Sequence, residues 1–145
     1  LQVDASLPVG NYTVQVDFSN NELQSANCTI NVAVQGTVTI PQIQGGGERS
    51  PYEGQVVTTR GVVTRINSNG YFLQDPVGDG DASTSDGVFV FTGGAPTAPV
   101  AVGNELRVTG TVTEFAVGSG AEAVARPVTE LTNTSATLLG AGPAL

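Results

Sequence analysis

Apolar side chains recur at every second position along most of this chain, in short runs separated by glycine, proline and small polar residues. Successive side chains of a β-strand point to opposite faces, so this period of two predicts strands with one buried face. The spacing of three to four residues that marks an amphipathic helix is nearly absent. The pattern therefore predicts an all-β fold.

Two blocks of strands are separated by a glycine-rich segment. Residues 1–35 contain alternating runs at 12–16 and 28–34, which predict a β-hairpin that is marginal on its own and needs a surface to pack on. Residues 36–50, with three consecutive glycines at 45–47, are predicted to be a linker. The main domain is predicted at 51–132, and a second linker at 133–145.

Five strands are predicted in the main block, at 55–66, 71–74, 87–92, 105–115 and, with a weaker pattern, 122–131. Asn69-Gly70 predicts a tight hairpin between the first two. Gly61 and Gly110 lie mid-strand, where a barrel strand must bend or let another backbone approach. A long first strand followed by four more predicts a five-stranded OB-fold-like barrel.

The charge balance limits the chemistry of the chain. It has 13 carboxylates, five Arg, no Lys and no His, for a net charge of −8. Such a surface repels phosphate at long range, which disfavours strong autonomous binding of nucleic acid. The absence of His excludes Ser–His–Asp and Cys–His catalysis. Cys28 is the one cysteine; free cysteines are usually buried, and the alternative is a partner outside this stretch.

The sequence also bears on location. No run approaches the roughly 20 apolar residues of a membrane helix, and no signal peptide is recognisable. Ends such as LQVDA and GPAL favour a piece of a longer protein. An acidic surface without lysine suits a secreted or cell-surface bacterial protein.

Four segments of the main block occur in this order: IPQIQGGGERSPYEGQVVTTRGVVT, GYFLQDPVGDGDASTSDGVFVF, VAVGNELRVTGTVTEF and VTEL. Together they resemble the OB-fold-like module of secreted bacterial multidomain nucleases, over roughly residues 38–132. In that family a neighbouring domain of the endonuclease/exonuclease/phosphatase class carries out metal-dependent phosphodiester hydrolysis. The resemblance implies that this chain is a non-catalytic accessory module of such a nuclease.

The first block carries a second resemblance. Residues 7–12, LPVGNY, form a turn of the LPxGxY kind that precedes an alternating run. This resembles the last two strands of a bacterial immunoglobulin-like domain and covers about a third of one. The implied partners are neighbouring immunoglobulin-like and catalytic domains of the same parent chain.

Strand parity predicts a binding face. If the branched aliphatic residues fill the barrel, then Phe72, Phe89 and Phe91 point outward on adjacent strands. OB-folds hold single-stranded nucleic acid in this region by stacking bases on aromatic rings. Arg60 and Arg107 are predicted on the outer surface, where each could contact phosphate or stack on a base. The alternative is that residues 1–50 or a missing domain cover the rings.

The loop between the second and third strands concentrates carboxylates. Asp75, Asp79, Asp81 and Asp86 provide hard oxygen ligands within twelve residues, a chemistry that suits Ca²⁺. The spacing is not that of an EF-hand, because the central glycine and closing glutamate are missing. Asp and Gly are also the ordinary residues of turns, so a solvated connection without metal is the other interpretation.

Two main functions follow from these observations, and hydrolase activity of the chain itself is a third possibility. The first is a non-catalytic module that helps to place a nucleic-acid substrate, with weak binding of single-stranded DNA. The second is a structural spacer that packs between neighbouring domains. Bare rings at the three predicted phenylalanines would favour binding, and covered rings would favour the spacer.

Overall fold

The structure is a computed structural model that describes residues 10–19, 25–34 and 36–145. Within these residues there are seven strands and two short helices, joined by loops. The chain divides into two compact units, residues 1–36 and 37–145. The elements are β1 Gly10–Ser19, β2 Ser25–Val34, α1 Ile40–Gln44, β3 Val56–Asn67, β4 Gly70–Gln74, β5 Gly87–Phe91, β6 Asn104–Phe115, α2 Ala121–Ala125 and β7 Val128–Ala141.

The second unit is a closed barrel with the strand order β3-β4-β5-β7-β6. All neighbouring strands are antiparallel except β5 and β7, which run parallel. Closure pairs the outer strands β3 and β6 with each other, so this sheet has no unpaired edge. The prediction of an all-β, five-stranded OB-fold-like barrel with an N-terminal hairpin is confirmed.

The barrel interior follows the alternation in the sequence. Along β6, Leu106, Val108 and Val112 are at most 1% exposed, and Gly110 between them is buried as well. On β4 and β5 the buried residues are the ones that alternate with the phenylalanines. The buried hydrophobic residues of those two strands are Tyr71, Leu73, Val88 and Val90. On β4, β5 and β6, parity therefore predicted which face fills the core.

Residues 36–50 are not the predicted linker, because they contain α1, which packs into the barrel core. Ile40 and Ile43 are fully buried within the core cluster. Thr39 caps the helix: its hydroxyl accepts from the Gln42 N–H at 3.4 Å, and its own N–H donates to the Gln42 side chain at 3.1 Å. The absence of a side chain at Gly61 leaves room for α1, since a Cβ there would lie 3.0 Å from Ile40 Cδ1.

The fifth barrel strand also differs from its prediction at 122–131. Residues 121–125 form α2, and β7 begins at Val128 and continues to Ala141, so residues 133–145 are not a linker. The strand has this length because it pairs with β6 from Val128 up to Ala141, with register shifts along the way. From Thr132 to Thr137, partly buried and exposed residues alternate, and this alternation ends at Leu138 and Leu139, which are both exposed.

The first unit is described by itself. Its strands β1 and β2 pair antiparallel from Gly10↔Val34 to Ser19↔Ser25, as the hairpin prediction requires. Residues 7–9 of the predicted turn lie outside the described residues, and its residues 10–12 belong to β1. Cys28 is exposed on β2, so the prediction of a buried thiol is wrong.

Neither helix in the described ranges has the length and apolar character that crossing a membrane requires.

Candidate nucleic-acid interface

The outward phenylalanines form a cluster on β4 and β5. Phe72 is the cross-strand partner of Phe89, and their ring centroids are 5.0 Å apart at an interplanar angle of 54°. Phe91 lies further along β5 opposite Gly70. Phe72 and Phe91 are each 37% exposed, and Phe89 is partly buried between its neighbours. Within the barrel unit, the three rings are therefore on the outer face, with accessible surface.

Gly70 explains why Phe89 is the least exposed of the three. A Cβ at Gly70 would lie 2.5 Å from Phe89 Cζ, so the ring occupies the space that a side chain would take. The Phe89 ring therefore packs over Gly70, a contact by which aromatic side chains cover glycines in sheets.

A groove of about 440 Å³ runs along these rings, and we call it the aromatic groove. It combines the face of β4 and β5 with the β3–β4 turn and the start of the β6–β7 connection. In OB-folds, the second and third barrel strands and these two loops bind oligonucleotides and oligosaccharides. The lining residues are Asn67, Asn69, Phe72, Phe89, Phe91, Phe115, Val117, Val128, Glu130 and Thr132.

A second concavity of about 460 Å³ adjoins the aromatic groove, and we call it the side groove. The two share Phe72, Phe89 and Val128, so together they form one path across the ring pair. The side groove is more polar and is lined partly by Gly45, Gly47 and residues of the aspartate loop, including Ser83 and Ser85. An extended ligand lying over the rings would continue into it.

The two predicted arginines do not reach the aromatic groove. Arg60 and Arg107 are cross-strand partners of each other on β3 and β6, and Arg60 Nε lies 3.9 Å from Glu105 Oε1. The cross-strand partner of Phe72 is Arg65, five residues further along β3, or roughly 16 Å at the rise of a strand. Arg65 is exposed, and cross-strand partners share a sheet face, so Arg65 is the arginine beside the rings.

The register of the β3–β4 hairpin determines that Arg65 lies opposite Phe72. The turn residues are Ser68 and Asn69, and Asn67 pairs with Gly70, one position before the predicted Asn69-Gly70 turn. Counting back from this closing pair places Arg65 opposite Phe72. By parity, Arg65 would share a face with the buried Val63, but the register shift between them places Arg65 on the outer face.

Glu130 is a site residue that the sequence reasoning missed. It is the register partner of Phe89 on β7, lines the aromatic groove and is only 7% exposed. Burial raises the pKa of its carboxyl, and no hydrogen bond or positive charge in the described residues offsets that effect. A buried carboxyl with a perturbed pKa at the wall of a groove is typical of functional sites.

A row of side chains therefore crosses the outer face of the barrel. From β3 to β6 it is formed by Arg65, Phe72, Phe89, Glu130 and Thr113. Arg65 lies at one end, the two tilted rings of Phe72 and Phe89 follow, and the Glu130 carboxylate lies beyond them. This arrangement suits a planar ligand that stacks on the rings, with an acidic group toward Arg65 and hydrogen-bond donors toward Glu130.

Three of the four predicted metal ligands accept hydrogen bonds that stabilise turns. Asp75 Oδ1 accepts from the N–H groups of Val77 at 3.0 Å and Gly78 at 3.2 Å. Asp79 Oδ1 accepts from the Asp81 N–H at 2.9 Å and, like Oδ2, from the Thr84 hydroxyl at 2.9 Å. These are the Asx turns by which aspartate stabilises a loop.

Asp81 forms a third turn of this kind, and Asp86 does not. Asp81 Oδ1 accepts from the N–H of Ser83 at 2.9 Å and from its hydroxyl at 2.7 Å, and these bonds lower the pKa of the Asp81 carboxyl. Asp86 is partly buried against Gly78, and its Oδ1 has no partner in the described residues. In that part of the chain, no three Asp, Glu, His or Cys side chains form a group that could hold a metal ion.

In comparisons with known proteins, no family model, no curated protein and no solved structure matches the chain. Function therefore has to be argued from the geometry of the barrel.

Proposed function

We propose that the barrel is a non-catalytic module that helps to place a nucleic-acid substrate and binds single-stranded DNA weakly. Its parent would be a secreted bacterial nuclease of the class that the four sequence segments resemble, with catalysis in a neighbouring domain. The observation that carries the proposal is the aromatic groove. It places partly exposed rings of Phe72, Phe89 and Phe91 on the two strands where OB-folds bind oligonucleotides.

The energetics favour weak binding. Stacking of a base on an aromatic ring contributes roughly 1–3 kcal/mol. The net charge of −8 opposes the approach of phosphates. Arg65 is the arginine whose strand position adjoins the ring pair, so few counterions would be released. We therefore expect detectable binding at low salt with a shallow salt dependence.

The structural spacer is the second candidate, and one observation favours it. Phe115 is 55% exposed and Val117 is 61% exposed beside the three rings. Such a contiguous apolar patch also suits burial against another domain. In that case the rings would be covered in the parent protein and the isolated chain would bind no oligonucleotide.

A titration of labelled single-stranded DNA at low and moderate salt separates the two functions. The wild-type chain should bind saturably at low salt and leave the oligonucleotide intact. Phe72→Ala and Phe89→Ala should each lose roughly 1–3 kcal/mol of binding, because each removes a stacking surface. Arg65→Gln should weaken binding and reduce the slope of log K against log salt by about 0.7.

Arg107→Gln is the matched control, because it removes the same charge away from the groove. It should leave affinity and salt slope nearly unchanged. Circular dichroism of each variant verifies folding, which matters most for Phe89 because of its contact with Gly70. Absence of saturable binding by the wild type at low salt would favour the spacer, and equal effects of Arg65→Gln and Arg107→Gln would contradict the placement of the phosphate.

A further inference from the structure

Glu130 is the one charged side chain that lines the aromatic groove, among the residues that the structure describes. It is more than nine-tenths buried and has no partner of opposite charge there. Its carboxylate oxygens are not among the buried polar atoms that lack a partner in the described residues, so the accessible part of the side chain faces the groove, where it can accept hydrogen bonds from a ligand. The neighbours in its row are Phe89 and Thr113, and neither supplies a charge.

We propose that Glu130 reads the base edge of the bound strand and selects guanine. This proposal rests on the proposed function and specifies its ligand. A base stacked on the ring pair of Phe72 and Phe89 would have one edge toward β7, where Glu130 lies next to Phe89. An ionised carboxylate only accepts hydrogen bonds, through two oxygens.

Guanine fits this acceptor better than the other bases. Its Watson–Crick edge presents two adjacent donors, N1–H and the N2 amino group, which match the two oxygens of a carboxylate in a bidentate pair. Thymine presents a single N3–H between two carbonyl oxygens, which repel the second carboxylate oxygen. Cytosine and adenine each present an amino group beside a ring nitrogen acceptor and can satisfy only one oxygen.

Arg65, at the β3 end of the row, fits a nucleotide whose base edge faces Glu130. Arg65 lies on the far side of Phe72, two strands away from Phe89 and three from Glu130. At about 4.8 Å between strands, the arginine is separated from the carboxylate by roughly 14 Å. A nucleotide lying across the row would thus have its phosphate toward the cation and its base edge toward the carboxylate, which limits repulsion between the two anions.

The test compares thymidine oligomers about nine nucleotides long that differ only at the central base. The wild-type chain should bind the oligomer with one central guanine about tenfold more tightly than the all-thymine oligomer. Central inosine keeps N1–H but lacks the N2 amino group, so most of the gain should disappear. Central cytosine and adenine should lie between guanine and thymine.

Glu130→Gln provides the second arm. It keeps the shape of the side chain but removes one acceptor, so it should abolish the guanine preference while binding the thymine oligomer at least as well as the wild type. If the wild type binds all the oligomers equally, the inference fails and the proposed function stands. A guanine preference that persists in Glu130→Gln also overturns it. Absence of binding to every oligomer overturns both.

Discussion

At the scale of single residues, Glu130 has the environment most unfavourable to its ionised form. Its side chain is 7% exposed, and burial alone raises the pKa of its carboxyl. A raised pKa means that the folded state holds this proton more tightly than the unfolded chain does. Protonation therefore stabilises the fold, and the free energy of unfolding falls as pH rises from 4.5, the unperturbed pKa, through the higher folded value.

Glu130→Gln tests this coupling. The variant lacks the ionisation, so it should be more stable than the wild type near neutral pH, and the difference should shrink as pH falls toward 4.5. The measurement is urea unfolding of both proteins at a series of pH values between these limits. A difference that stays constant across the series would show that burial does not perturb this carboxyl.

Asp81→Asn is a control of opposite sign. Hydrogen bonds from Ser83 lower the pKa of Asp81, so its contribution to stability is present above its unperturbed pKa and is lost as pH falls through the folded value. The asparagine variant should therefore be the less stable protein at neutral pH, and the difference should vanish in acid. Asp81 is exposed, so this effect is expected to be small.

At the scale of elements, α1 shows how a glycine-flanked segment becomes part of a barrel. The helix buries Ile40 and Ile43 completely in the core cluster, and Gln44 Nε2 donates to the Gly87 carbonyl of β5 at 2.6 Å. Gly45 ends the helix with φ at 66°, and its N–H donates to the Pro41 carbonyl at 2.8 Å. Of the three consecutive glycines, Gly45 thus serves as a helix C-cap.

Ile43→Ala measures the contribution of α1 to the fold. Truncating a fully buried isoleucine removes apolar burial and leaves a cavity, which should lower the free energy of unfolding by about 2–5 kcal/mol. Val77→Ala is the matched control, since Val77 is 85% exposed in the aspartate loop and should change stability by about 0.5 kcal/mol or less. Chemical denaturation of both variants gives the comparison. A loss below about 1 kcal/mol for Ile43→Ala would indicate that α1 is only loosely attached to the barrel.

Strands with alternating residues could be predicted from the sequence, and elements fixed by capping or bulges could not. β6 was recognised because Leu106, Val108 and Val112 mark one face. Helix α1 is only five residues long, too short for a helical period, although the capping box of Thr39 and Gln42 was a visible signal. The position of Arg65 depends on the hairpin register and on a register shift between Val63 and Arg65, which parity does not encode.

In the candidate site, too, some residues could be predicted from the alternation within a strand and others could not. The outward phenylalanines Phe72, Phe89 and Phe91 follow from strand parity within one hairpin-like pair of strands. Glu130 was missed because it reaches the groove through the parallel pairing of β5 with β7, a long-range contact with no local pattern. Its neighbours Thr129 and Leu131 are also buried, so burial does not alternate at this point of the strand.

At the scale of the whole molecule, the distribution of charge explains why salt should matter. Three of the five arginines lie within 4.0 Å of a carboxylate: Arg49 with Glu53, Arg60 with Glu105 and Arg126 with Glu48. All three pairs are exposed in part, so each contributes little to stability. The excess of eight negative charges is left to solvent and counterions, and like charges on a compact chain repel one another.

Ca²⁺ could stabilise the chain either by screening the repulsion between its negative charges or by binding at a specific site. Added salt should raise the melting temperature by screening the repulsion. CaCl₂ and MgCl₂ at equal ionic strength should do so equally, because carboxylate oxygens of Asp75, Asp79 and Asp81 already accept hydrogen bonds within their own loop. A cation bound to the folded loop would instead stabilise the chain by mass action.

The measurement is thermal unfolding in millimolar CaCl₂ and MgCl₂, with NaCl as a third salt. Asp79→Ala/Asp81→Ala should melt at a lower temperature in all three, since it loses the turn hydrogen bonds, and by the same amount in each. An increment found only with Ca²⁺ and absent from the double variant would make the loop a calcium site. It would also require the aspartates to exchange their turn hydrogen bonds for the ion, since these bonds occupy the oxygens that would coordinate it.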